Sequence, residues 1–179
     1  MSLALATLLP GLVLIALGAL LVFGAGGVTA AFKAFPRSRR ATWICFGAGS
    51  VWFLYIICNL SPADFGDYRK ILFVLFGLIA ALAFKSVPDF LAVRGAAVLV
   101  LLAAMPLLDS AYMQYDVPRR LFMVSAVYVA LSLALWLGAQ PYRLRDFFDW
   151  LFARPGRSRR LGGLLAAYGL LLCGVALSY

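Results

Sequence analysis

Apolar residues in this chain fall into six long runs, at about residues 8–32, 41–60, 71–84, 95–108, 121–138 and 161–179, and charged residues are confined to the connections and their borders. Some 20 consecutive apolar residues make a helix that spans a hydrocarbon layer about 30 Å thick, and helices satisfy their own backbone polar groups there. The pattern therefore predicts an all-α, polytopic membrane helix bundle of six transmembrane spans, folded as one integral membrane domain over residues 1–179. The third and fourth runs are short: fourteen uncharged residues each, or about 21 Å of helix. Either their ends extend, with Arg69, Lys70, Lys85 and Arg94 snorkelling to the surface, or the pair forms a re-entrant hairpin dipping from one side. Full crossing is preferred, because a hairpin would hold the charges of the 85–94 connection at mid-membrane, where they are costly. A hairpin returns to its own side, so the remaining topology is the same either way.

The longest connection, 142–160, has a pattern of its own. Leu144, Phe147, Phe148 and Leu151 recur at i, i+3, i+4 and i+7, while Asp146 and Asp149 lie off that face. This predicts about three turns of amphipathic helix along the cytoplasmic leaflet, ended by Pro155-Gly156. Prolines otherwise mark the connections: Pro36, Pro62, Pro88, Pro118, Pro141 and Pro155 fall in them or at their borders, while Pro10 sits in the first turn of the first span and Pro106 near the end of the fourth.

Charge assigns the sides. Twelve of the 16 Lys and Arg residues lie in alternate connections with three Asp, so that face carries the whole formal +9; the other face has four Lys/Arg and four Asp. An excess of Lys and Arg keeps a loop in the cytoplasm, which places both termini outside and makes a bacterial inner membrane the natural host. The first apolar run lacks a positive leader and is far longer than a signal-peptide core, so it reads as a permanent span. A composition 65 % hydrophobic with mean hydropathy +0.98 excludes an ordinary soluble domain. The basic residues flank apolar helices, so anionic lipid headgroups at the cytoplasmic face are the expected partner, and nucleic acid is not.

The residues expected to touch lipid or a partner are Arg37, Arg39, Arg40, Arg154, Arg157, Arg159 and Arg160 at the basic face, with Phe147, Phe148 and Trp150 of the amphipathic segment. A second group, Asp109, Asp116, Arg119 and Arg120, lies on the opposite face and would suit a polar headgroup or a charged loop; solvated loop charges and helix-end anchors are the preferred explanation. The string Arg37-Ser-Arg-Arg40 recurs as Arg157-Ser-Arg-Arg160. Four residues without further similarity read as convergent anchors rather than a repeat.

Chemistry adds little. The chain has no histidine and no glutamate, which removes the usual haem ligand, the zinc-protease motif and the base of a Ser-His pair. Gly47-Ala-Gly-Ser50 is helix packing rather than a nucleophile turn, and neither a cofactor nor a metal ligand set is indicated. Cys45 and Cys58 stand thirteen residues apart on one helix, too far to pair; Cys58 and Cys173 could meet only if their helices touch. Gly77/Ala81, Gly162/Ala166 and Gly163/Ala167 have the small-xxx-small spacing that lets helices approach. Without a reaction centre, the expected function is a non-catalytic membrane subunit packing against other membrane subunits or lipids. The alternative is a small transporter or channel for a neutral or lipid-like solute, using Asn59, Ser125, Ser132 and Gln140; a lipid enzyme working through Asp109 or Asp116 comes third.

Overall fold

Eight α-helices joined by short turns make up the computed structural model, which describes residues 1–24, 26–86 and 89–179; no strand occurs among them. They are α1 (Leu3–Phe23), α2 (Gly26–Ala34), α3 (Arg39–Cys58), α4 (Arg69–Ser86), α5 (Leu91–Ala111), α6 (Arg120–Ala139), α7 (Tyr142–Phe152) and α8 (Pro155–Ala176). Five of these, α1, α3, α5, α6 and α8, are long and apolar enough to cross a membrane, and the chain is an integral membrane protein. Pro88 lies outside the described residues.

Several boundaries differ from those the hydropathy pattern suggests. The first run is not one span: α1 stops at Phe23, Gly24 is extended at φ −61° and ψ 118°, and α2 begins anew at Gly26. Hydropathy passes over this break because glycine is apolar enough to extend a run, yet it is a poor helix former. Ser2 caps α1, its side chain accepting from the Leu5 N–H at 3.4 Å. Pro10 is therefore the eighth helical residue, inside α1 rather than in its first turn. The two short runs are lengthened by their charged flanks. Arg69, Lys70 and Lys85 are helical in α4, which has 18 residues, and Arg94 and Asp109 in α5, which has 21; at 1.5 Å per residue they reach about 27 and 32 Å. Pro155 does not merely end the amphipathic segment; it starts α8, where a missing N–H costs nothing. The two Arg-Ser-Arg-Arg strings consequently do different work. Ser38 caps α3, its side chain accepting from the Ala41 N–H at 3.3 Å, whereas Ser158 lies within α8 and is buried.

Close backbone approaches set the helix directions. Gly11 and Gly18 of α1 face Gly169 and Gly162 of α8, so the two helices run antiparallel. A Cβ at Gly18 would stand 2.6 Å from the Gly162 carbonyl oxygen, and one at Gly169 would stand 2.6 Å from that of Gly11; no side chain fits. On the other side of the bundle, a Cβ at Gly95 of α5 would overlap the backbone of Phe46 in α3, and one at Gly49 of α3 meets Val98 at 3.2 Å. Both numbers rise together, so α3 and α5 are parallel. Between them in sequence, α4 runs the opposite way along α3: Phe84 stacks on Trp43 with centroids 4.5 Å apart, and Phe76 meets Phe53 edge-on at 5.2 Å. A Cβ at Gly138 of α6 lies 3.7 Å from Ala97 of α5, while Arg120 at its other end bonds Ala111, so this pair is antiparallel. The core between them joins Ala6, Ala104, Ala111, Met123, Val127 and Leu172.

Candidate functional site at the basic end

These directions bring the ends of α1, α4 and α6 and the starts of α3, α5 and α8 together, and with them the basic connections. The end is closed by a layer made from α2, α7 and the 3-10 turn Phe35–Arg37. Amphipathic α7 turns part of its apolar stripe into the protein. Leu151 and Phe148 are buried against Leu21, Phe32, Leu161 and Leu165, with Phe148 edge-on to Phe32 at 5.5 Å. Phe147 and Trp150 remain exposed. Lys33 of α2 and Asp149 of α7 pair at 3.3 Å, exposed and therefore worth little on its own. The apolar contacts hold α7 in place. Phe148→Ala is expected to cost about 3 kcal/mol as a buried aromatic truncation, whereas Phe147→Ala should stay within about 0.5 kcal/mol; thermal denaturation in detergent measures both.

The predicted contact residues separate into engaged and open ones. The Arg37 guanidinium sits 5.2 Å above the Phe90 ring, and Phe90 itself takes a left-handed φ of 59° to start α5. Arg157 donates to the Trp150 carbonyl at 2.9 Å and lies 4.4 Å from its ring centroid, which ties the end of α7 to α8. Arg39, Arg40, Arg154, Arg159 and Arg160 are exposed. On the far face Arg120 donates to the Ala111 carbonyl at 2.6 Å and stacks on Tyr115 at 4.8 Å. It fastens the α5–α6 turn. Asp109, Asp116 and Arg119 are exposed, and no ion pair joins them among the described residues. Asp89 and Arg94 likewise form none.

Cavities open on the bundle at several places among the described residues. One of about 400 Å³ lies among α3, α4 and α5, walled by Phe53, Phe76, Ile79 and Leu101. A second of about 500 Å³ is formed by α1, α5 and α6 with Trp52, and both interior prolines, Pro10 and Pro106, line it. Both are almost wholly apolar and open at the side. The third, about 390 Å³, is polar in part and sits at the basic end between α1, α2, α7 and α8, with Phe23, Thr29, Phe152, Ser158 and Arg159 in its walls. Sequence reasoning missed this cavity, because its walls come from four segments that meet only after α1 breaks at Gly24.

The polar side chains suited to a solute path are spent locally. Ser125 donates to the Leu121 carbonyl at 2.7 Å, Ser132 to that of Tyr128 at 2.9 Å and Asn59 to that of Tyr55 at 2.8 Å, each within its own helix or at its end. Gln140 accepts from Arg143 at 3.0 Å. Cys45, Cys58 and Cys173 are free thiols, and no metal-binding cluster occurs among the described residues. Of the small-residue pairs, Gly162/Ala166 meets Gly18 of α1, while Gly77 and Gly163 have open space before them. Compared with known proteins, the chain matches no family model, no curated protein and no solved structure.

Proposed function

We propose that this protein is a non-catalytic, six-span subunit of a bacterial inner-membrane assembly, with both termini on the outer face. Helix α4 carries the reading. It has no buried residue along 18 positions, and its described ring contacts are all to α3. A transmembrane helix finds no hydrophobic gain in meeting its neighbours, since lipid is equally apolar, and depends on close packing. The occupant proposed for its open side is a transmembrane helix of a different subunit, seated at Gly77 and Ala81, where small side chains permit the approach. Antiparallel α1 and α8, and parallel α3 and α5 with α4 returning between them, support an even number of crossings, and the 18 and 21 residues of α4 and α5, about 27 and 32 Å of helix, favour six.

Purification from native membranes in mild detergent should yield a stoichiometric hetero-complex by native mass spectrometry. Gly77→Trp, placed where nothing lies within 4 Å, should leave the melting temperature of the isolated chain unchanged and abolish the complex. A wild-type chain that is monomeric, or that forms only homodimers, overturns the reading. The apolar cavity beside Pro10 and Pro106 favours a second reading, a carrier for a lipid-like solute. Wild-type-dependent movement of a fluorescent lipid between vesicle leaflets would be its signature.

A further inference from the structure

We propose that the polar cavity at the basic end binds the phosphate group of an anionic phospholipid from the cytoplasmic leaflet. The inference rests on the proposed topology for its side of the membrane, and on the cavity for its chemistry. The cavity is graded: Leu21, Val22 and Phe23 of α1 supply an apolar wall, while Thr29 and Arg159 supply a hydroxyl and a cation. Phe23, at the end of α1, is 83 % exposed, so the apolar wall is open at the surface of the bundle, as an acyl chain attached to the headgroup would require. A volume of about 390 Å³ lies in the range of small-ligand sites, roughly 300–1,000 Å³, and suits a headgroup.

Electrostatics selects an anion. No carboxylate lines the cavity, and the two acids of α7 are already paired, Asp149 with Lys33 and Asp146 with Arg145 at 2.8 Å. Arg159 meets no carboxylate among the described residues. Ser158 and Arg159 also belong to the opening turns of α8, the end where helix dipoles favour negative charge. Basic pockets between transmembrane helices on the cytoplasmic side are suited to lipid phosphates on these grounds. The neighbouring Arg160 and Arg154 are exposed and add long-range attraction without entering the wall.

The test uses the purified full-length chain in neutral detergent with phosphatidylglycerol or phosphatidylcholine added, at salt high enough to screen exposed charges. Native mass spectrometry counts retained lipid. The expected result is selective retention of phosphatidylglycerol, weakened about ten-fold in Arg159→Gln by loss of one charge-assisted contact. Thr29→Trp, which fills the cavity without altering charge, should abolish retention, and Lys85→Gln, exposed on α4, should leave it unchanged. Retention that survives added inorganic phosphate assigns the site to lipid; displacement by inorganic phosphate alone assigns the same phosphate site to a soluble ligand. Equal retention by wild type, Arg159→Gln and Thr29→Trp would falsify the proposal, as would matched losses in Arg159→Gln and Lys85→Gln. Because the assay needs no partner, a monomeric chain that still retains lipid separates this inference from the subunit reading.

Discussion

Gly18→Leu is expected to separate α1 from α8 and to abolish a stable fold, while Gly163→Leu, also at a glycine within a spanning helix, leaves stability intact. At position 18 the new Cβ alone would stand 2.6 Å from the Gly162 carbonyl oxygen and 2.7 Å from the Ala166 nitrogen. Those are backbone atoms, which cannot rotate aside as a flexible side chain would. Overpacking a core with side-chain neighbours costs about 1–3 kcal/mol; forcing two helix backbones apart also forfeits the packing along their length, so the loss should exceed that range. Gly163 faces open space, and leucine is the better helix former by several tenths of a kcal/mol. Fluorescence-detected size exclusion after a heating series distinguishes the two. Aggregation or a large fall in melting temperature is expected for Gly18→Leu, and a wild-type profile for Gly163→Leu. A Gly18→Leu protein as stable as wild type would show that α1 and α8 do not meet as described.

A cytoplasm-active reporter is expected to be active when fused after Arg40, Asp89 or Arg160, and silent when fused after Asp67 or Asp116. The fusion at Asp89 separates six crossings from a re-entrant α4–α5 hairpin, which would keep that position out of the cytoplasm and the reporter silent. The physical ground is the charge distribution: twelve Lys and Arg on one face against four on the other, with cationic loops retained on the cytoplasmic side. The ring contacts of α4 agree with a return along α3, since Phe76 and Phe84 meet residues ten positions apart, Phe53 and Trp43, about 15 Å along the axis. Matched reporter activity after Arg40 and Asp67 would remove the topology altogether.

How far the pattern could be read varied by element. For α7 the signal was direct: four apolar residues on one helical face, bounded by Pro141 and Pro155, give Tyr142–Phe152 as an amphipathic helix. What covers that face was not written in it. An apolar stripe serves lipid and protein equally, and only the nearness of Leu21, Phe32 and Leu161 shows that Phe148 and Leu151 are spent on the bundle. For the short third and fourth runs, counting uncharged residues underestimated the helices. Arg, Lys and Asp are tolerated at helix ends, where they reach water. The glycines illustrate another limit. Spacing of four points to Gly162/Ala166 and equally to Gly163/Ala167, although one pair is packed and the other bare. The seven-residue spacing of Gly11 and Gly18, matched by Gly162 and Gly169, was the available signal and lies outside the four-residue motif.

The candidate site follows the same division. The cations were visible as a charge excess, but Arg37, Arg157 and Arg120 could not be told from their neighbours, because the rings and carbonyls that engage them lie across a turn or on another segment. Hydropathy and charge decide that the chain is helical, lives in lipid and is basic at one end, because solvent choice depends on composition summed over a segment. Which helices touch, where α1 breaks from α2 and which arginine lines a cavity depend on single atoms meeting across the bundle. Such meetings between residues 11 and 169, or 32 and 148, leave no periodic trace along the chain.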